Sequence, residues 1–270
     1  MSDPKGLPRV SHSWKTAYNW CPRQFKYIYI DKAKPDRPKV ITASVGTGVH
    51  KIVNRMYLAN NFSLSWMLEQ WPIVYYEQLK KDGITFKNPE REKYWLDKGN
   101  ELLIRFHKVA EKEGFLVPAI RTEWRFRLTL VDMVLIGIVD LIIKVDGKVG
   151  IWDLKSGLTE VEDTVLSPSE QLTIYSLAAR RLLLLEEQVT GFIYPQHDKI
   201  VVSPVQRGNE DYFKLLAEVR EIVKKVENKE FEPTYKDCQR CLFAGRCRAE
   251  DTAKKTGISM KWFYPTVEGT

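Results

Sequence analysis

The sequence predicts an α/β protein organised around a β-hairpin. Residues 134–145 and 149–154 are dense in β-branched and aromatic residues, which favour strands. Between them lies Asp146-Gly147, the dipeptide most typical of a two-residue type I′ turn. Long segments before and after the hairpin carry apolar residues at helical spacing, so we expect helices to flank the sheet.

The predicted turn sets the register of the hairpin. If Val145 pairs with Lys148, Asp140 stands opposite Asp153, with Cβ atoms about 4.5–5.5 Å apart. Lys155 points to the same face because strand side chains alternate. Two facing carboxylates repel each other, and a divalent cation held between them would relieve that repulsion. The alternatives are that both aspartates face solvent or that Lys155 neutralises one of them.

The remaining elements follow from the same two periodicities. Alternation over 121–131, with Trp124 and Phe126 on the inward face, predicts the strand before the hairpin. Residues 1–10 should form an unstructured lead-in, and residues 158–166 a polar loop. The other predictions are helices at 11–21, from about 43, at 62–79, at 90–113 and at 211–227, and strands at 189–194 and 200–205.

A further helix should begin at a capping box formed by Ser167 and Glu170, with Pro168 at the first helical position. Gln171 and Tyr175 then lie four residues apart on one face of its first turns. The positive end of the helix dipole favours a phosphate at that place.

Two glycines in the predicted helix near residue 43 need an explanation. Gly46 and Gly48 each cost about 1 kcal/mol relative to alanine in a helix interior. Their presence suggests the close approach of another backbone or of a ligand. His50 follows them directly, although a single histidine on a helix is more often packed or solvated than a ligand.

Composition favours a soluble protein with a polyanionic partner. With 270 residues, of which 44% are hydrophobic, the chain can bury the core of one large domain or of two small ones. Its formal charge of +7 favours nucleic acid over a membrane. The chain has neither an apolar run of about 18 residues nor a signal-peptide region, so we expect a cytoplasmic protein. A nucleotide-driven motor is excluded because no Gly-x-x-x-x-Gly-Lys-Ser/Thr loop occurs.

The cysteines predict a metal centre. Cys238-x-x-Cys241 lets two thiolates reach one centre, and Cys247 follows on a short turn. Structural disulfides are not expected in a reducing compartment. The fourth cysteine of the chain is Cys21, which would link the first helix to the end of the fold. The spacing fits either a zinc ion or a [4Fe-4S] cluster.

Several of these segments together resemble the PD-(D/E)XK nucleases, in the RecB-like branch that includes the CRISPR adaptation nucleases and the AddB-type nuclease domains. The resemblance runs from Ser11 to Cys247. It implies a restriction-endonuclease-like mixed β-sheet core, within a single nuclease domain over 1–270. The segments that carry it are Gly137-x-x-Asp140, Asp153-x-Lys155, Gln171-x-x-x-Tyr175, Gly46-x-x-x-His50, Cys21-Pro22 and the three C-terminal cysteines. The parts that it implies are a helical insertion at 11–118, a catalytic sheet core at 119–206, and a helix with the cysteine cluster at 207–270.

The resemblance also implies roles for the site residues. One or two Mg²⁺ or Mn²⁺ ions would be held by His50, Asp140, Asp153 and the backbone carbonyl of Leu154. Lys155 would orient the attacking water or stabilise the phosphorus and its leaving oxygen. Gln171 would bind nucleic acid, and Tyr175 would order the lysine or contact the DNA backbone. Glu123 would be a supporting residue at the margin of the site, or an ordinary exposed strand charge. The cluster-bearing relatives favour a [4Fe-4S] cluster over zinc at Cys21, Cys238, Cys241 and Cys247.

The implied activity is that of a metal-dependent DNA nuclease. Cleavage should leave a 5′-phosphate and a 3′-hydroxyl, and the histidine-bearing branch is typically exonucleolytic on single strands. This favours DNA-end processing in recombination, repair, phage replication or CRISPR spacer acquisition, with helicase, recombination or CRISPR adaptation proteins as partners. The alternatives are a non-catalytic nucleic-acid-binding subunit and a zinc-clamped structural protein.

Overall fold

The computed structural model describes residues 6–37, 39–157, 169–203 and 207–257. The chain forms two compact units. The smaller unit combines Met1–Pro38 with Glu218–Thr270, and the larger is Lys39–Ala217. The helices and strands in chain order are β1 (Arg9–Val10), α1 (His12–Trp20), α2 (Pro22–Phe25), a π-helical turn (Lys26–Ile30), α3 (Ile41–Ala59), α4 (Leu64–Asp82), α5 (Pro89–Lys112), β2 (Ala119–Thr129), β3 (Val134–Val145), β4 (Lys148–Leu154), α6 (Glu170–Leu182), β5 (Val189–Tyr194), a 3₁₀ turn (Pro195–His197), β6 (Lys199–Ser203), α7 (Asn209–Glu227) and α8 (Ala244–Thr256).

The sheet of the larger unit is mixed. Its strands lie in the order β2, β3, β4, β5, β6, and each neighbouring pair is antiparallel except β4 and β5, which are parallel. Helix α6 connects the two parallel strands, as parallel pairing requires a crossover. The predicted α/β class, with a mixed sheet and flanking helices, is therefore confirmed, and it is consistent with a restriction-endonuclease-like fold.

The central hairpin has the predicted turn and register. Asp146 and Gly147 have φ angles of 49° and 81°, as a type I′ turn requires. Val145 pairs with Lys148, and the pairing continues to Leu141 opposite Trp152. The next residue on β3 is Asp140 and the next on β4 is Asp153, so the turn brings the two aspartates to the same end of the hairpin.

Helix α3 packs its predicted apolar face inward. Its apolar residues Val45, Val49, Ile52, Val53 and Met56 are all buried. The helix begins at Ile41, two residues before the predicted start. The buried residues of α3 belong to a hydrophobic core to which α4, α5 and the sheet also contribute.

The two glycines of α3 lie against side chains, and not against another backbone as one of the two expectations had it. A Cβ atom at Gly46 would lie 2.6 Å from the hydroxyl of Ser156, and one at Gly48 would lie 2.8 Å from the indole of Trp71. Trp71 is fully buried, and its Nε1 donates to the carbonyl of Leu96 at 2.8 Å. Both close approaches come from residues distant in sequence, so the glycines reflect tertiary packing.

Trp71 also lies against Gly99 of α5, where a Cβ atom would overlap the indole ring. We expect Gly99→Ala to lower the free energy of unfolding by about 1–2 kcal/mol, because overpacking outweighs the gain in helix propensity. Urea denaturation measures the change. The double variant Gly99→Ala/Trp71→Phe should lose less than the sum of the two single variants, since the smaller ring leaves room for the methyl group. A Gly99→Ala protein as stable as wild type would contradict this packing.

Two predicted boundaries are wrong. Residues 1–10 were expected to be unstructured, but Arg9–Val10 forms β1 and the side chain of Val10 is fully buried. Helix α6 begins at Glu170 with Ser169 as its N-cap, so Ser167 is not the cap. Two serines precede the helix, and sequence alone does not distinguish them. The predicted strand at 200–205 is present as β6 in its described part, up to Ser203. Ser167, Pro168, the polar loop at 158–166 and the last two residues of that strand prediction lie outside the described residues.

The smaller unit begins as predicted. The hydroxyl of Ser11 accepts a hydrogen bond from the backbone N–H of Trp14 at 3.1 Å and caps α1, which ends before Pro22. Trp14 and Tyr18 pack edge-on against Phe25 with ring centroids 4.9 and 5.2 Å apart. Within the described ranges, no helix is long and apolar enough to cross a membrane.

Candidate active site and cysteine centre

Asp140 lies at the end of the hairpin, where its carboxylate is held by the neighbouring strand. Its Oδ2 atom accepts a hydrogen bond of 2.8 Å from the backbone N–H of Leu154. The same oxygen lies 3.5 Å from Nδ1 of His50, which α3 brings to the site. The structure thus places together the predicted ligands His50 and Asp140.

Glu123 lies beside this pair and has an unusual backbone conformation. It has a φ angle of 47°, left-handed for a residue inside a strand, and lies between the pairs Thr122–Leu141 and Trp124–Val139. Its side chain is half-buried, so the reading of Glu123 as an ordinary exposed strand charge is wrong. His50, Glu123 and Asp140 each offer one ligand atom, and these three atoms all lie within 4.8 Å of one another. This set of one imidazole and two carboxylates suits a divalent cation.

Asp153 is buried beside this group, and both of its carboxylate oxygens contact other side chains. Its Oδ2 atom lies 2.6 Å from Nζ of Lys155, and its Oδ1 atom accepts a hydrogen bond of 2.7 Å from Nε2 of Gln171. Lys155 Nζ in turn donates to Oε1 of Gln171 at 2.8 Å. The ion pair corresponds to one of the alternatives for the hairpin, in which Lys155 neutralises an aspartate.

Gln171 and Tyr175 complete this network from α6. The hydroxyl of Tyr175 accepts from Nε2 of Gln171 at 2.9 Å and donates to Oδ1 of Asp153 at 3.4 Å. Gln171 was expected to contact nucleic acid, and in the structure it bridges Asp153 and Lys155. The two residues therefore fix the orientation of the lysine and its aspartate.

The electrostatics of the site favour a cation. Burial raises the pKa of Asp153 to about 6, and the charge of Asp140 adds to the effect while Lys155 opposes it. Burial and Asp140 also raise the pKa of Glu123. Burial lowers the pKa of His50, but the hydrogen bond with Asp140 and the nearby carboxylates outweigh it and leave that pKa raised. A bound divalent cation would relieve this excess of negative charge.

Two further residues of the site do not stand out in the sequence. The hydroxyl of Thr122 lies 3.0 Å from Oδ1 of Asn54 and 3.3 Å from the backbone carbonyl of Asp140. Asn54 follows His50 by one turn of α3, so this contact ties the helix to the sheet next to the histidine. In the sequence, the only sign of this contact is that His50 and Asn54 are four residues apart and so lie on the same face of α3.

All four cysteines line one cavity of the smaller unit, with a volume of about 250 Å³. Burial raises the pKa of Cys241, and the charges of Cys21 and Cys238 add to the effect while a backbone N–H opposes it. Burial also raises the pKa of Cys247, against the effect of Arg23. The structure therefore brings Cys21 to the three C-terminal cysteines, from the other end of the chain.

The comparisons with known proteins identify the class of protein. A family model of the PD-(D/E)XK nuclease superfamily matches residues 9–248, most of the chain, so the chain belongs to this superfamily. Its members are nucleases, which implies a nucleic-acid substrate, and a divalent metal is typical of them. The chain is also similar to a solved chain described as the crystal structure of SSO0001. That match has 17% identity and a TM-score of 0.28, and it covers 57% of this chain and 75% of the other. No curated protein matches.

Proposed function

We propose that the protein is a metal-dependent deoxyribonuclease that trims single-stranded DNA or duplex ends as an exonuclease. The observation that carries the proposal is the juxtaposition of the His50–Glu123–Asp140 group with the Lys155–Asp153 pair, within a chain of the PD-(D/E)XK superfamily. The formal charge of +7 supports a polyanionic substrate. Processing of DNA ends in recombination or repair is the role that we infer for it.

The metal would be held by His50, Glu123 and Asp140, with Asp153 and the carbonyl of Leu154 as the further ligands. Glu123 is an addition to the ligands inferred from sequence, supported by its position within 4.8 Å of the other two. A bound Mg²⁺ or Mn²⁺ would lower the pKa of a coordinated water and offset the charge of the scissile phosphate.

Lys155 would supply the second positive charge at the phosphate. Its ammonium lies 5.1 Å from the ring centroid of Phe192 and donates a hydrogen bond to Gln171. These contacts hold the ammonium in one place before a substrate arrives. A fixed charge of this kind stabilises the developing negative charge without reorganisation. Tyr175 holds Gln171, and through it the lysine.

The direct test uses the wild-type protein with end-labelled single-stranded DNA. We expect shortening of the DNA with Mg²⁺ or Mn²⁺, products that carry a 5′-phosphate, and complete loss of cleavage in EDTA with recovery after metal is restored. The length distribution over time separates stepwise trimming from internal cuts. Binding without cleavage at any metal concentration would instead favour the non-catalytic nucleic-acid-binding subunit.

For the cysteine centre we propose a [4Fe-4S] cluster. Bonds of about 2.3 Å to a tetrahedral zinc ion place the sulfurs about 3.8 Å apart. In the described part of the chain, which includes all four cysteines, no three of these sulfurs lie within 4.8 Å of one another. The wider spacing, around a cavity of about 250 Å³, favours a group larger than one ion.

A further inference from the structure

A buried arginine contacts the cysteine centre. Arg23 of α2 is only 5% exposed, and its Nη1 atom donates to the sulfur of Cys247 at 3.5 Å. It also lines the cavity that the four cysteines share. The sequence does not distinguish it from the other basic residues near the cysteines, because only the fold brings it to Cys247.

Acidic residues hold Arg23 at this place. Its Nη1 atom also donates to Oδ1 of Asp251 at 2.5 Å, and its Nη2 atom lies 3.6 Å from Oε2 of Glu232. Oδ2 of Asp251 accepts from the hydroxyl of Tyr235 at 3.0 Å, which fixes the aspartate. The side chain of Glu232 is 87% exposed, so Asp251 is the main partner of the buried charge.

The direction of the N–H group matters for chemistry at the sulfur. Reduction of a cluster adds negative charge that is shared with the cysteine sulfurs, and hydrogen bonds to those sulfurs are one of the factors that set the reduction potential. Arg23 presents a charged donor to one sulfur in a buried setting, where such a bond is strong. Its pairing with Asp251 balances the charge but leaves the donor directed at Cys247.

We propose that Arg23 is a positioning residue that raises the reduction potential of the cluster by its hydrogen bond to Cys247. This inference rests on the proposed cluster. The other explanation of the same contacts is that Arg23 and Asp251 form only a structural ion pair between α2 and α8. The two explanations predict different results when Arg23 is replaced. The reduction potential of the cluster falls if Arg23 tunes it, and stays the same if the ion pair is only structural.

The experiment compares anaerobically purified variants of the full chain. Iron content, visible absorption and the midpoint potential from spectroelectrochemical titration are measured for each. We expect Arg23→Gln to shift the equilibrium about tenfold toward the oxidised cluster, which lowers the midpoint by about 59 mV for a one-electron couple. The matched control is Arg240→Gln, because the side chain of Arg240 is 84% exposed and lies 3.6 Å from Asp237. Its midpoint should equal that of wild type.

A double variant separates the donor from the charge. Arg23→Gln/Asp251→Asn removes both members of the ion pair and still lacks the donor, so its midpoint should stay below that of wild type. A wild-type midpoint in this double variant would overturn the inference. An unchanged midpoint in Arg23→Gln at full iron content would also overturn it. In both cases the cluster proposal stands. Colourless wild-type protein with stoichiometric zinc would overturn the cluster and the inference together.

If Arg23→Gln does not retain iron, the inference is tested with the conservative variant Arg23→Lys. Arg23→Lys keeps the charge near Asp251 but loses the planar fork that reaches the sulfur. A midpoint below that of wild type supports the inference, and an equal midpoint overturns it.

Discussion

Asp140→Asn should lower the rate of metal-dependent DNA cleavage by about a thousandfold, the upper range for removing one group that stabilises the transition state. The amide removes the charge of a carboxylate that lies beside the imidazole of His50 and the carboxylate of Glu123. It retains an oxygen that can accept from the N–H of Leu154, so the end of the hairpin should remain folded. The measurements are single-turnover cleavage of labelled DNA and, in parallel, the affinity for DNA and for Mn²⁺. We expect DNA binding to persist and Mn²⁺ binding to weaken.

Glu123→Gln tests whether Glu123 is a metal ligand, as we propose in addition to the ligands inferred from sequence. We expect a loss of about 10–100-fold in activity or metal affinity, as for other residues that support a metal site. Asp97→Asn is the matched control, since the side chain of Asp97 is 54% exposed and pairs with Lys93, far from the candidate ligands in sequence. Wild-type cleavage by the Asp140→Asn protein would rule out the proposed site, whereas wild-type cleavage by Glu123→Gln alone would remove only Glu123 from it.

The hairpin shows what can be predicted from sequence. Its turn depends on two residues that tolerate positive φ, and its register depends on the turn, so local information was sufficient to place Asp140 and Asp153 on facing strands. The same holds for α1 and α3, whose caps or apolar periodicity lie within one segment. Such elements need no knowledge of the rest of the fold.

Glu123 and Arg23 show where this reasoning stops. Alternation along β2 places Glu123 on the outward face, and the structure adds that it has a left-handed backbone and lies within reach of His50 and Asp140. No local pattern marks a glutamate for positive φ, a conformation that surrounding contacts must impose. Arg23 acquires its role from residues more than two hundred positions away. The bridging position of Gln171 likewise depends on how α6 packs on the sheet.

Cys247→Ser should remove the bound group from the smaller unit. A serine hydroxyl is a harder and weaker ligand than a thiolate for iron or zinc, and Cys247 is one of four cysteines around the cavity. We expect the variant to lose most of its iron and its visible absorption. Because the energy of binding such a group is also folding energy, the variant should be more sensitive to proteolysis within 218–257. Iron analysis and limited proteolysis with mass spectrometry measure the two effects.

Thr252→Ser provides the control on the same helix, since its hydroxyl donates to the backbone carbonyl of Arg248, a bond that serine can also make. It should keep full iron and the wild-type digestion pattern. A Cys247→Ser protein that also keeps full iron would show that this cysteine is not a ligand, and the proposed four-cysteine centre would be wrong. The candidate active site consists of residues of the larger unit, from His50 to Tyr175. Cleavage by the folded fraction of Cys247→Ser therefore tests whether the cysteine centre serves only stability or is also required for activity.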